Sequence, residues 1–240
     1  YSFYPIVIND TPLPWLDFEK NAVRNALETI SNVIDINFQE VELFNPNSVY
    51  NENIVFMPSY NFDASGMHGV PEDILYTNGG LLADEDVYIA FDDHTLFGTY
   101  NFNQWVDQSW LAKGGYTFST IIHEVLHGLG LAHPHDNGGG SLVFPGVTDA
   151  FESYGDYRLN QEVFTIMSYN SGWTGLPPTW PYFGSAASPM AFDIAALQTI
   201  YGANTTHNSN NNTYNLTINH FESIWDTGGI DTISGQNATD

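Results

Sequence analysis

His123-Glu124-Val125-Leu126-His127-Gly128-Leu129-Gly130-Leu131-Ala132-His133 sets three imidazoles and one carboxylate among small and aliphatic residues. At about 100° per residue, positions i and i+4 of a helix differ by only about 40°, so His123 and His127 project from one face. Their imidazoles can then meet one metal ion at ~2.0–2.1 Å. Glu124 lies one step round the helix, within reach of a metal-bound water but not itself a ligand. A helix continued to His133 would turn that ring away by about 120°. Gly130 removes the difficulty, because glycine takes positive φ cheaply, ends the helix and doubles the chain back. The bland alternative is three histidines gathered by chance on a packed helix. Five residues matched in both type and spacing argue against it. The other histidines, His68, His94, His135, His207 and His220, show no ligand spacing. They read as surface or satisfied core, with His135 at the edge of the site.

Working outward, residues 117–128 are expected to form the helix that carries the first two histidines, with Thr117 as its cap. Residues 17–30 read as an earlier helix, because Phe18, Ala22, Ala26, Leu27 and Ile30 recur at helical spacing and Asp17 suits the N-cap. The alternation over 34–38 predicts a half-buried strand. The apolar run 53–57 predicts a buried strand stopped by Pro58, and 87–91 is a further strand. A loop-rich stretch covers 134–180. Residues 190–201 form a third helix closed by Gly202. The Asn-rich stretch 204–215 is a loop, and short strands are expected at 216–218 and 223–225 before the Gly228-Gly229 turn.

The chain has 240 residues, 42% of them hydrophobic, which suffices for a substantial core. Acidic residues number 28 against 4 Lys plus Arg, a formal net charge of −24. Such a surface repels nucleic acid and anionic membranes and suits divalent cations and a saline exterior. No apolar run approaches the ~20 residues of a membrane-spanning helix. The opening residues lack a signal peptide, so any targeting or pro-segment is expected to lie outside this sequence. With no cysteine, disulfides and thiolate metal sites are excluded, leaving His, carboxylate, Tyr or carbonyl ligands.

The segment 123–133 matches the metzincin pattern H-E-x-x-H-x-x-G-x-x-H, and its surroundings resemble the serralysin group of secreted bacterial proteases. His133-Pro134 fits that group, and Phe164-Thr165-Ile166-Met167-Ser168-Tyr169 resembles its methionine turn. The segment 189–204 resembles the helix that closes the catalytic domain. Residues 224–232 resemble the entry to a calcium-binding β-roll. The likeness is good over roughly 80–235 and holds only in layout before that.

The resemblance implies an α+β metzincin fold: a twisted mixed sheet, a long active-site helix, and a smaller C-terminal subdomain after the third zinc histidine. Residues 1–203 would be the catalytic domain, divided near 133 into N-terminal and C-terminal (134–203) subdomains. Residues 204–240 would be a calcium loop and the start of a truncated or short β-roll. It implies a secreted, bacterial zinc endopeptidase with His123, His127, His133 and a resting Tyr169 on zinc. Zinc would lower the pKa of its water toward ~7, Glu124 would take the proton and later return it, and Tyr169 would stabilise the oxyanion. Met167 would form an apolar floor beneath the metal. An extended protein or peptide substrate would pair with the edge strand of the sheet, here expected to be Val87, Tyr88, Ile89, Ala90 and Phe91.

Calcium is expected from the same resemblance. Residues 201–216 are similar to the family's first calcium loop, placing Asn208, Asn210 and Asn212 where main-chain carbonyls ligate the ion. Asp226, Gly228 and Asp231 would complete the oxygen shell. The family's arginine, glycine and threonine are replaced by three asparagines, a change that carbonyl ligation tolerates. Two other functions stay open: a non-catalytic, calcium-dependent interaction module with a structural zinc, and a narrowly specific processing enzyme. Self-cleavage, or a homodimer formed through the exposed C-terminal segment, is a further expectation.

Overall fold

The computed structural model describes residues 1–3, 6–8, 11–13, 15–41, 54–59, 66–68, 87–92, 108–138, 141–174 and 184–236. It combines helices with a small mixed sheet, an α+β arrangement. In chain order the regular elements begin with β1 (Ser2–Phe3), a hairpin of β2 (Ile6–Ile8) and β3 (Thr11–Leu13), and helix α1 (Asp17–Ser31). Strands β4 (Ile54–Ser59), β5 (Gly66–His68) and β6 (Val87–Asp92) follow, then α2 (Tyr116–Gly128) and α3 (Ala191–Tyr201). Two short strands, β7 (Thr213–Asn215) and β8 (Thr232–Ser234), close the described part of the chain as a parallel pair.

The sheet order is β1-β4-β6-β5, with β5 alone antiparallel. This corrects the expectation that residues 87–91 form the sheet edge. Ile89, Ala90 and Phe91 pair with His68, Met67 and Gly66 on one side and with β4 on the other. The outermost described strand on that side is β5. Strand β4 also runs through Pro58, where a stop was expected. Among the described residues its pairing with β1 involves only Val55 and Phe56, so no described neighbour on that side calls for an N–H at Pro58.

Helix α1 buries Ala22, Val23, Ala26, Leu27 and Ile30, the periodic stripe, against α2. Its N-cap is Leu16 rather than Asp17, because Glu19 reaches back and accepts the Leu16 N–H at 2.7 Å. Burial raises the pKa of Glu19 to about 7 against the opposing pull of that N–H. The folded chain therefore holds this proton more tightly than the unfolded chain does. Its contribution to stability is full below about pH 4 and is lost as pH rises through about 7. Glu19→Gln is expected to gain on the order of 2 kcal/mol on the parent between about pH 4 and pH 8 in urea melts. A gap that stays constant across that range would refute the assignment.

Helix α2 is the centre of the molecule, with Phe118, Ile121, Ile122, Val125 and Leu126 almost wholly inaccessible and its backbone lying against α1, β5 and β6. Its N-cap is Gly115, not Thr117, whose side chain is packed inside. A Cβ at position 115 would run into the main chain of Trp110, so the helix can start only on glycine here. Helix α3 ends on Gly202 at φ +80°, as expected.

Two extended segments differ from expectation. Residues 34–38 keep the alternating burial, with Ile34, Ile36 and Phe38 turned to the core, but form a single bridge, Ile34 to Ala203. The strands expected at 216–218 and 223–225 are absent; the ladder joins 213–215 to 232–234. Leu216, Ile218 and Ile224 are exposed, so no buried face holds those residues in a sheet. The segment is laced instead to residues 184–188 through Ala187 N–H to Phe221 O and Ser223 N–H to Ser188 Oγ, both 2.8 Å.

Candidate metal centre

Helix α2 supplies His123, Glu124 and His127, and the turn that ends it supplies His133. Gly130 at φ +94° makes that turn: Gly130 N–H donates to His127 O at 2.8 Å, and Leu131 N–H to Leu126 O at 3.0 Å. These two bonds are the paired closure of a glycine-terminated helix. The chain reverses as expected, and His133 comes back over the helix it has just left.

The three Nε2 atoms converge. That of His133 lies 3.1 Å from His123 Nε2 and 2.9 Å from His127 Nε2. Three nitrogens around a tetrahedral zinc ion would sit about 3.3 Å apart. The outer nitrogens are all taken: His123 Nδ1 by Ile166 O at 2.8 Å, His127 Nδ1 by Leu131 O at 2.7 Å, and His133 Nδ1 by Asp136. A carbonyl only accepts, so Nδ1 carries the proton in His123 and His127, and their Nε2 atoms present lone pairs. Lone pairs face one another with no donor between them, an arrangement that a cation relieves. The donor set fits zinc.

Electrostatics agree. Burial, then the neighbouring His127, lowers the pKa of His123 to about 3. Burial, then His133, lowers that of His127 to about 4. Both rings are neutral at physiological pH, the ligand form. Glu124 is 6% exposed, and burial pushes its pKa up to about 8 in the metal-free site, a shift that a dication held by the three histidines would oppose.

The residues around this centre come from distant parts of the chain. Thr165 to Tyr169 turn tightly, with Ser168 N–H donating to Thr165 O at 3.1 Å and Met167 buried. The Tyr169 ring lies 4.6 Å from that of His133 and 6.0 Å from that of His123. Burial, then the Glu124 carboxylate, raises the Tyr169 pKa. His135 stacks on His133 at 4.8 Å and meets Tyr169 at 4.7 Å, so it does stand at the site edge.

Three carboxylates escaped the sequence reading. Asp136 holds His133. Asp193 accepts Thr165 Oγ1–H at 2.6 Å and the N–H groups of Ile166 and Met190 at 2.8 Å each, tying the turn at Ile166 to the start of α3. Glu162, fully buried and raised in pKa by that burial, accepts Ser119 Oγ–H and the N–H groups of Gly172 and Ala186. An acid three residues past a helix cap was a legible signal for Asp193. Nothing local announced the other two.

The expected calcium residues also come together. Asp226 Oδ1 accepts Gly228 N–H, and Asp231 Oδ1 accepts Asn212 N–H, both at 2.8 Å. Gly229, at φ +112°, presses on the Asn210 carbonyl so closely that no side chain fits there. The Asn212 amide faces the main-chain carbonyls of Asn208, 3.3 Å away, and Asn210. With its nitrogen toward them it donates to both.

No protein-family model matches the chain. It is 28% identical over 251 residues to "Serralysin" of Proteus mirabilis, covering 93% of this chain and 45% of that protein. To "Metalloprotease AprA" of Pseudomonas entomophila it is 27% identical over 241 residues, 90% of this chain and 43% of the other. To "Serralysin C" of Dickeya chrysanthemi it is 34% identical over 151 residues, 55% of this chain and 29% of the other. The chain is serralysin-like. It spans less than half the length of each of these relatives.

Proposed function

We propose that this chain is a secreted zinc endopeptidase acting on extended protein or peptide segments. The observation that carries the reading is the convergence of three imidazole lone pairs, with a buried carboxylate next in sequence to the first of them. His123, His127 and His133 hold the zinc, and Tyr169 stands next to it as a fourth group able to approach. When bound, zinc supplies Lewis acidity, polarising the scissile carbonyl and making a water acidic. Glu124 accepts the proton of that attacking water and returns it to the leaving amine. The Tyr169 hydroxyl hydrogen-bonds the developing oxyanion, and Met167 packs the floor. Among the described residues the outermost strand on the β6 side is antiparallel β5, and the main chain of 66–68 is the proposed pairing edge for substrate.

The names "Serralysin" and "Metalloprotease AprA" of its relatives support this reading. So does the preserved carboxylate at 124, since a purely structural zinc needs no base. No helix among the described residues is long and apolar enough to cross a membrane. Metal analysis and casein clearing test the proposal together. The purified chain should retain about one equivalent of zinc, as a single three-histidine site requires. Clearing should vanish with a chelator and return with zinc. A chain that holds zinc but never cleaves protein would leave the structural-zinc module standing instead.

For residues 204–240 the proposal is a calcium loop, with the Asn208, Asn210 and Asn212 carbonyls, Asp226, Gly228 and Asp231 as its oxygen shell. Saturating calcium should raise the melting temperature of the parent, and Asp226→Ala should abolish that rise. The stabilisation would be about 2.7 kcal/mol at a calcium concentration 100 times the Kd. A parent whose melting ignores calcium has no such site.

A further inference from the structure

We propose that Asp136 is a positioning residue for the zinc ligand His133, fixing its tautomer and strengthening its Nε2 as a donor to the metal. The inference rests on the zinc reading of the three histidines. The other two ligands are held by main-chain carbonyls: His123 by Ile166 O, within the 165–169 turn, and His127 by Leu131 O, within the helix-ending turn. His133 lies past the helix, and its Nδ1 is held by a side chain, Asp136 Oδ2, at 2.5 Å. That carboxylate is itself aimed, because Oδ1 accepts the Gly138 N–H at 2.9 Å and Asp136 N–H donates to His133 O at 3.3 Å. Residues 133–138 thus fold into a small turn whose one acidic side chain points back at the ring that opened it.

A carboxylate on Nδ1 does two things that a carbonyl does less well. It holds the proton on that nitrogen, so Nε2 keeps its lone pair toward the other two histidines. It also carries full negative charge, which raises electron density in the ring and its affinity for a dication. An ion pair serving stability alone is a poor explanation, since the Asp136 side chain is 38% exposed and pairs in such settings contribute little. His133, His135 and Asp136 also lie close enough together to suggest a separate metal group. His133 cannot serve both, because its Nε2 faces the first centre and its Nδ1 is spent on Asp136.

The test is zinc affinity, measured by competition with a chromophoric chelator, on the parent, Asp136→Ala and Asp136→Asn. The metal-free forms are melted in parallel, and the visible spectra of the cobalt-loaded forms are compared. Asp136→Ala should bind zinc about 10–100-fold more weakly, the usual cost of losing a carboxylate behind a metal-binding histidine. Its cobalt spectrum should shift while its metal-free melting stays at the parental value. Asp136→Asn keeps an acceptor on Nδ1 but no charge, and should fall between the two. Parental zinc affinity and an unchanged cobalt spectrum in Asp136→Ala would overturn the proposal while leaving the zinc reading intact. If Asp136→Ala does not fold, Asp136→Asn decides in the same way: weaker binding supports the role and parental binding overturns it. A parent that takes up no zinc overturns both readings.

Discussion

Glu124→Ala is expected to keep its zinc and to lose about 10²–10⁴-fold in kcat on casein, the usual contribution of a general acid–base. The zinc should stay because the side chain lies one helical step from the histidines, and none of the three outer nitrogens depends on it. The rate should fall because the carboxylate is the acidic side chain of α2, next in sequence to His123 and buried to 6% exposure. In the proposed mode, main-chain pairing and the metal hold the substrate, so KM should change little and the loss should appear in kcat. Glu124→Gln, which keeps volume and removes the basic oxygen, should be nearly as slow; this separates lost chemistry from a packing defect. Substantial casein hydrolysis by either variant would strike Glu124 from the mechanism. Loss of zinc from both would make it a structural support.

Asp193→Ala should be the most destabilising single change outside the metal ligands, on the order of 3–5 kcal/mol in chemical denaturation. The carboxylate satisfies Thr165 Oγ1–H and two main-chain N–H groups, and the residue is 1% exposed, so water cannot replace it at low cost. The damage should spread to the metal: Ile166 donates its N–H to Asp193 and offers its carbonyl to His123. Zinc affinity should fall alongside stability, as it should not for an equally costly deletion in α1. Burial raises the Asp193 pKa to about 6 against the pull of its three donors. The folded state holds that proton more tightly than the unfolded chain, so this group's contribution is full below about pH 4 and declines as pH rises through about 6. The cost of Asp193→Ala should shrink accordingly between those limits. A cost under 1 kcal/mol, or one that grows with pH, would contradict the network.

The three clustered histidines were legible because their geometry is local. An i, i+4 pair on a helix shares a face whatever surrounds it, and a glycine six residues after Glu124 reverses the chain by its own φ. The α-helices were legible for a similar reason: α1 carries its apolar periodicity, and α2 and α3 their closing glycines, within one segment. Their caps were less so: Thr117 looks like a cap until its side chain is found in the core, and Leu16 looks like none until Glu19 reaches back to it.

Strands failed where pairing had to be known. Residues 87–91 read correctly as a strand, but their place inside the sheet depends on β5, whose three residues carry no strand pattern of their own. Residues 216–218 and 223–225 have strand-like apolar residues, yet the ladder formed at 213–215 and 232–234, where the Gly228-Gly229 turn brings two distant segments level. A sheet edge is a property of neighbours, and no single run of sequence states who they are.

By itself, then, the sequence determined the histidine-bearing helix, its reversal at Gly130 and the histidines that meet there, since bonded neighbours and helical pitch suffice for these. Only the tertiary structure decided what stands behind the histidines. His123 is held by a carbonyl 43 residues further along, and that peptide is held by a carboxylate 27 residues beyond it. Hydrogen-bond partners at such separation are chosen when the core closes and buried donors must find acceptors, which is a condition on the whole fold rather than on any segment.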